Sequence, residues 1–434
     1  MTHADKPSSR RKQLALKIIG PFQAFVKSGS LGGLLLLLGA LVAFGWANSP
    51  WAPAYERLLH THLSLNLGTW SLDLSLAHWI NDVLMAIFFL LVGLELKREL
   101  VIGELSRPRQ AALGVAAALG GMIVPALIYV SFNRGAEALH GWAIPMATDI
   151  AFSLAAMSVL GSRVPLGLKV FLTALAIVDD LGAVLVIGLF YTSSLNLGAL
   201  AAAAGILAVL FLFNRIGVRH LGVYLIPGIF LWYAVYQSGL HATVAGVLLA
   251  FVIPIARQVT APTAALREAV RAGDAEAAGA HLAALERILE ARQSPLHRLE
   301  HALHPYVNVL VLPIFALFNA GLSLSGVGVG TVTLGVGLGL IFGKPLGVML
   351  LSFVAVKTGL AQLPNGVTWR GVFGVGLLAG IGFTMSLFVA GLSFGGDLYN
   401  QARLGIICGS LVSAGLGIAL LSRLGKAEVK TDEG

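Results

Sequence analysis

Charge is what this sequence has least of. Only 12% of its 434 residues are Asp, Glu, Lys or Arg, roughly half the share of a soluble domain, while 57% are hydrophobic. That balance excludes an ordinary soluble chain and points to one that dissolves in a bilayer. Cysteine is nearly missing too: Cys408 stands alone in an apolar run, so no intrachain disulfide can form. Acidic residues are outnumbered and the formal net charge is +8, but the basic residues are scattered through short connections. They make no stripe for nucleic acid, and an excess of Lys and Arg in such loops marks the inner face of a membrane. There is no P-loop and no nucleophile elbow, so the chain alone carries no ATP-driven step and no enzymatic chemistry. A cleavage site of small residues is also missing. The basic start (Lys6, Arg10, Arg11, Lys12, Lys17, Lys27) leads into Leu31–Trp46, which is expected to be an uncleaved first span.

What is there is a series of apolar runs. After span 1 (about 31–47) they fall at about 78–96, 110–131, 142–160, 166–191, 198–213, 221–236, 239–256, 306–322, 333–356, 371–393 and 402–422. The expected fold class is therefore an all-α membrane protein of about twelve transmembrane helices. Connections 48–77, 132–141, 192–197 and 321–332 carry few or no Lys or Arg. The others carry Lys97, Arg98, Arg107 and Arg109; Arg163 and Lys169; Arg215 and Arg219; Lys357 and Arg370. This asymmetry puts both termini in the cytoplasm.

The expected domains follow. Residues 1–30 form a cytoplasmic segment with an interfacial helix over 13–28. Residues 31–256 hold spans 1–8, residues 257–305 a cytoplasmic connection, residues 306–423 spans 9–12, and residues 424–434 a cytoplasmic tail. The connection is Ala-rich and charged and is expected to form one or two soluble helices without chemistry of its own. Within 62–76, leucine alternates with polar residues on both sides of Gly68, which predicts an external β-hairpin. An exposed strand edge can pair with a second copy, so a homodimer contact is expected there.

Inside the apolar runs the few charges stand out. Asp179 and Asp180 sit midway along Val170–Phe190. An acid at that depth must be paired, wetted or neutralised, and marks a functional site. Neighbours on a helix point about 100° apart, so one aspartate can hold an ion while the other meets a partner. Asp149 and Thr148 follow Pro145 in span 4, and Gly376, Gly380 and Gly382 precede Thr384 and Ser386 in span 11. Proline removes a donor and glycine weakens a helix, so both spans are expected to be discontinuous. They are central in the trios 3–5 and 10–12, which run in opposite senses, as in an inverted repeat with a midplane site. The alternative is ordinary packing glycines and prolines.

Lys344 lies inside span 10 and needs a carboxylate; Asp149, Asp179 and Asp180 are available. Lys344 is also placed to offset negative half-helix ends, and Asp149 positive ones. A purely structural buried pair is the plainer alternative. Three carboxylates with one lysine suit a hard monovalent cation such as sodium, with Thr148 and freed carbonyls completing the shell. The same oxygens bind sodium or protons but not both well, which is the core of an exchange mechanism. At the cytoplasmic edge Glu95, Arg98 and Glu99 of span 2 lie near Glu300, His301 and His304 before span 9. Histidine titrates near neutrality, so this cluster is either a pH sensor or a solvated, salt-bridged interface. His241, at the outer end of span 8, is a sensor or a satisfied interface histidine.

These residues stand in strings that resemble one family. N-D-V-L-M-A-I-F-F-L-L-V-G-L-E-L-K-R-E-L, W-A-I-P-M-A-T-D-I-A-F, A-L-A-I-V-D-D-L-G-A, S-G-L-H-A-T-V-A-G-V, L-E-H-A-L-H-P-Y-V, G-K-P-L-G and G-I-G-F-T-M-S-L-F look like the bacterial NhaA sodium/proton antiporters, in the same order from span 1 to span 12. The family is itself an established example of inverted-repeat architecture. The resemblance implies that Asp179 and Asp180 bind the cation (Na+ or Li+) and carry protons. It makes Asp149, Thr148 and Lys344 supporting groups. Glu95, Arg98, Glu99, His241, Glu300, His301 and His304 become pH-response positions. It further implies electrogenic exchange without a cofactor, a homodimer joined through the hairpin, and a bacterial inner membrane. The connection 257–299 and the N-terminal segment look longer than is usual there. Tyr306 stands where many members have Trp, and Met146 where they have a small residue. A sodium-coupled symporter of an organic anion is the alternative function, although no mid-membrane arginine offers an anion site. A passive channel or a non-transporting scaffold is a third class.

Overall fold

The computed structural model describes residues 30–67, 70–106, 108–192, 195–255, 294–325, 328–364 and 366–424. The interfacial helix expected over 13–28, the soluble helices expected within 257–293 and the tail beyond Leu424 lie outside these residues. What is described is almost wholly helical, because backbone polar groups inside a bilayer have only each other as partners.

Helix α1 (Ser30–Ala47) turns by 117° into the short α2 (Ala52–Leu59). The hairpin follows, β1 (His62–Leu67) antiparallel to β2 (Trp70–Ser75), with Leu63 opposite Leu74 and Ser64 opposite Asp73. Then come α3 (Leu76–Val101), α4 (Pro108–Phe132), a 3-10 stretch (His140–Met146), α5 (Ile150–Val159) and α6 (Leu166–Phe190). Next are α7 (Leu197–Arg215), α8 (Gly222–Gln237), α9 (Val244–Val252), α10 (Pro295–Asn319) and α11 (Thr331–Lys357). The chain closes with α12 (Trp369–Ala379), α13 (Phe383–Ser393) and α14 (Gly396–Ser422).

Among the described residues eight helices are long and apolar enough to cross a membrane, or ten if each bent pair is one span. The sequence led us to expect about twelve. The difference has a physical cause: α8 has 16 residues and α9 only 9, short of the roughly 20 that a bilayer crossing needs.

The helices form two bodies in contact. One joins α4, α5 and α6 to α11, α12, α13 and α14. Its axis is the long contact of α4 with α11, where Gly120 and Gly347 meet backbone to backbone; a Cβ on either would run into the other's carbonyl. The other is a wall of α1, α3, α9 and α10. Here Gly246 of α9 lies so close to Ala86 and Leu90 of α3 that only a hydrogen fits. Helix α11 is widened to a π-turn over Gly339–Gly343, just before Lys344 and Pro345. Proline at 345 cannot donate to the preceding turn, and the wider turn accommodates that loss. Such π-turns cluster at functional sites, and this one aims Lys344 inward.

Candidate functional site

Two interruptions lie against each other in the core. The first is Ala147–Asp149, extended backbone between the 3-10 stretch and α5. The second is Gly380–Gly382, between α12 and α13, whose axes differ by 47°. Backbone groups freed at one break are taken up by the other, as burial requires. The Asp149 amide donates to Ile381 O at 2.7 Å. The Thr148 hydroxyl donates to Ala379 O at 2.9 Å and the Ser153 hydroxyl to Leu378 O at 2.8 Å. In the other direction Ser386 Oγ donates to Ile144 O at 2.8 Å. Proline and the paired glycines permit the breaks, and short hydroxyl side chains close them.

Asp149 serves two helix starts at once. Its Oδ1 accepts from the Phe152 amide of α5 at 2.9 Å. Its Oδ2 accepts from the Thr384 amide of α13 at 3.0 Å and from the Thr384 hydroxyl at 2.5 Å. A carboxylate belongs at such positive ends. Lys344 has the complementary placement. Its ammonium donates to Met146 O, at the negative end of the 3-10 stretch, and to Asp179 Oδ2 at 2.5 Å. Both partners of that ion pair have side chains shut off from solvent.

Asp179 and Asp180 sit side by side in α6, 1% and 2% exposed. Thr148 adjoins Asp179, and Asp180 is within electrostatic range of Asp179, Asp149, Glu95 and Lys344. One oxygen of each aspartate, Oδ1, is buried with no hydrogen-bond partner among the described residues. Buried carboxylate oxygens without a partner are acceptors open to a cation or a proton. Thus Thr148, Asp149, Asp179, Asp180 and Lys344 are brought together at one place. Thr384 belongs with them. Its hydroxyl was visible after the glycines, but no sequence signal ties it to Asp149, 235 positions away.

A second polar group lies where the end of α3 meets the start of α10. Arg98 bridges Glu300 and Glu99, the latter at 2.9 Å. His304 Nε2 stands 3.7 Å from Glu95, and His297 Nδ1 3.7 Å from Glu300. Lys97 donates to Phe251 O at 2.6 Å and Ile253 O at 2.5 Å, closing the end of α9. His297 was not singled out in the sequence; it joins the group because it sits one turn before Glu300. His301 points to solvent, within electrostatic range of His304. His241 is not part of the group at all. It lies at the other end of the helices, with Nε2 2.7 Å from Tyr191 O at the end of α6.

The comparisons with known proteins agree among themselves. Residues 23–421 match the family model for Na+/H+ antiporter 1. The Na(+)/H(+) antiporter NhaA 1 of Saccharophagus degradans is 44% identical, covering 96% of this chain and 95% of its own length. The Na(+)/H(+) antiporter NhaA of Bordetella parapertussis is 48% identical over 94% of this chain and 97% of its own. That of Escherichia coli O1:K1 / APEC is 47% identical over 92% and 96%.

Proposed function

This chain belongs to the Na+/H+ antiporter 1 family and exchanges sodium for protons across a membrane; we propose that it does so at Asp179 and Asp180, by alternating exposure of one buried site. It is a multi-pass membrane transporter, not an enzyme, and it needs no cofactor: the ions are its substrates. The organic-anion symporter finds no support, since the family and the relatives above are Na+/H+ antiporters.

The observation that carries the site assignment is the buried Lys344–Asp179 pair beside an unpaired Asp180. An empty site keeps the ammonium on Asp179. A sodium ion that uses oxygens of both aspartates competes with that ammonium, and protons compete with sodium for the same lone pairs. Sodium or lithium bound on one side therefore drives protons off, and protons taken up on the other side drive the metal ion off. Carrying more than one proton per metal ion makes the cycle electrogenic. Asp149 and Thr148 hold the crossing in shape, and Lys344 supplies the positive charge that keeps an empty site from being a buried anion.

The remaining topology belongs to the same proposal. The α5 and α12–α13 interruptions are the central, discontinuous members of two inverted trios, and α8 and α9 complete a set of about twelve crossings. Both termini face the cytoplasm of the bacterial inner membrane, and the hairpin joins two copies. Glu95, Arg98, Glu99, Glu300, His301 and His304 set the pH response from the cytoplasmic edge, with His241 acting from the outer end.

The test is proton flux in liposomes. Purified protein is reconstituted with an acidic interior and an internal pH dye, and sodium, lithium or potassium is added outside. Sodium and lithium alkalinise the interior and potassium does not, and an Asp179→Asn/Asp180→Asn protein gives no response. Substantial flux through that double variant would refute the site.

A further inference from the structure

A third polar group lies at the opposite end of the wall from Glu95 and Glu300, and the ion site does not use it. Arg403, two turns into α14, donates to Gly321 O just beyond α10. Its guanidinium lies on the ring of Tyr399, 4.2 Å from the centroid. The Tyr399 hydroxyl reaches Asn319 Oδ1 at 3.5 Å. Asn319, 6% exposed, donates to Asn81 Oδ1 of α3 at 2.9 Å and to Phe315 O at 3.0 Å. Tyr55 of α2 packs its ring on Gly321 and donates to Leu317 O at 2.8 Å. Four elements thus meet through side-chain hydrogen bonds.

The placement is informative. Helix α14 belongs to the body that carries the ion site; α3 and α10 belong to the wall, and α2 continues from α1 of the wall. A joint meant to be permanent is cheapest when apolar, because buried polar groups need every partner satisfied. This joint is polar, and Arg403 Nε is buried with no partner among the described residues. A few hydrogen bonds that strand one donor suit a contact that is made and broken.

We propose that Arg403, Tyr399, Asn319 and Asn81 form an outer latch that holds the ion-carrying body against the wall, and that it must part for the site to open outward. This rests on alternating access to one site. While the latch is shut the outer route is closed. When it parts, the Arg403 guanidinium and the Gly321 carbonyl are left to water, so the open state costs little more than the hydrogen bonds it loses.

Two measurements test it. In the full chain with Cys408→Ser, Asn319→Cys and Arg403→Cys are bridged in liposomes by a bis-maleimide that contains a disulfide. Exchange stops on bridging and returns when a reductant cuts the linker, whereas a monofunctional maleimide leaves it running. Bridged protein that exchanges at the unbridged rate overturns the latch. The second readout needs no transport. With Cys408→Ser and Leu322→Cys, a position 1% exposed, a membrane-impermeant maleimide is applied from the outer face. Adding Arg403→Gln raises the labelling rate several-fold; an unchanged rate overturns the proposal. Because labelling is read without sodium, it separates failure of the latch from failure of the sodium-site assignment.

Discussion

Lys344 pairs with Asp179 and leaves the adjacent Asp180 outside the pair. The two aspartates should therefore differ in what they do for stability, whatever they share in transport. Asp179→Asn strands a buried ammonium, which costs about 3–5 kcal/mol and lowers the Tm in detergent. Asp180→Asn removes no ion pair, so its Tm stays close to that of the parent while its sodium-driven proton flux is lost. Equal loss of Tm in both variants would contradict the pairing.

Thr384 should matter through Asp149. Thr384→Val keeps the amide bond to Asp149 but removes the hydroxyl bond at 2.5 Å. A hydrogen bond to a charged group contributes about 1.5–3 kcal/mol, so the variant is less stable by about that amount and its Tm falls. The sodium concentration for half-maximal exchange rises, because the crossing beside Asp179 is less firmly held. Thr384→Ser restores both.

The contact of α4 with α11 sets a steric limit. Gly347→Ala puts a Cβ into the Gly120 carbonyl, where no flexible side chain can give way, and overpacking of this kind costs about 1–3 kcal/mol. Lys344 sits one turn earlier, so the strain also displaces its ammonium. Expected are a lower Tm and weaker apparent sodium affinity. Gly415→Ala, which meets nothing within 4 Å, serves as the control.

Where the end of α3 meets the start of α10, Glu300 faces Arg98 and His297. Glu300→Gln keeps the shape but removes a charge that acts on both. The plateau rate of exchange should stay near that of the parent while the midpoint of its pH profile moves. An unmoved profile across the range from acidic to alkaline would leave the group a structural interface only.

The hairpin offers a test of assembly. Replacing residues 63–74 by a short Gly-Ser linker removes both free strand edges; if the hairpin joins two copies, the variant is a monomer by light scattering in detergent where the parent is a dimer, with sodium-driven flux retained.

Much of this was legible in the sequence, for a single reason: in an apolar chain every charge needs an excuse. Asp149, Asp179, Asp180 and Lys344 stand out by position, and the fold gathers them at one place; Pro145 precedes one departure from helix and Gly380 and Gly382 bound the other. The alternation around Gly68 was enough for the hairpin. What stayed hidden were choices among partners. Nothing local says that Lys344 takes Asp179, that Thr384 serves Asp149, or that Arg403 meets Gly321, because each pair is joined by packing of segments far apart in the chain. His241 is expected apart from the histidine group, at the far end of its span, and the fold sets it there; only its partner, Tyr191 O, was hidden.

The backbone contact of Gly120 with Gly347 has a thermodynamic corollary. Where two helices touch with no side chain between them, and hydroxyls lace the two interruptions together, the groups around Asp179 and Asp180 are held as one stiff object. In the alternating cycle proposed above, a stiff object would present the same oxygens to either side of the membrane, so its intrinsic affinity for the ion would be shared by both faces. Like any passive carrier it has no built-in arrow, and equal affinity on the two faces would make it about as fast in either direction. The direction of net flow is left to the two ion gradients and the membrane voltage, and reversing them runs the same cycle backwards.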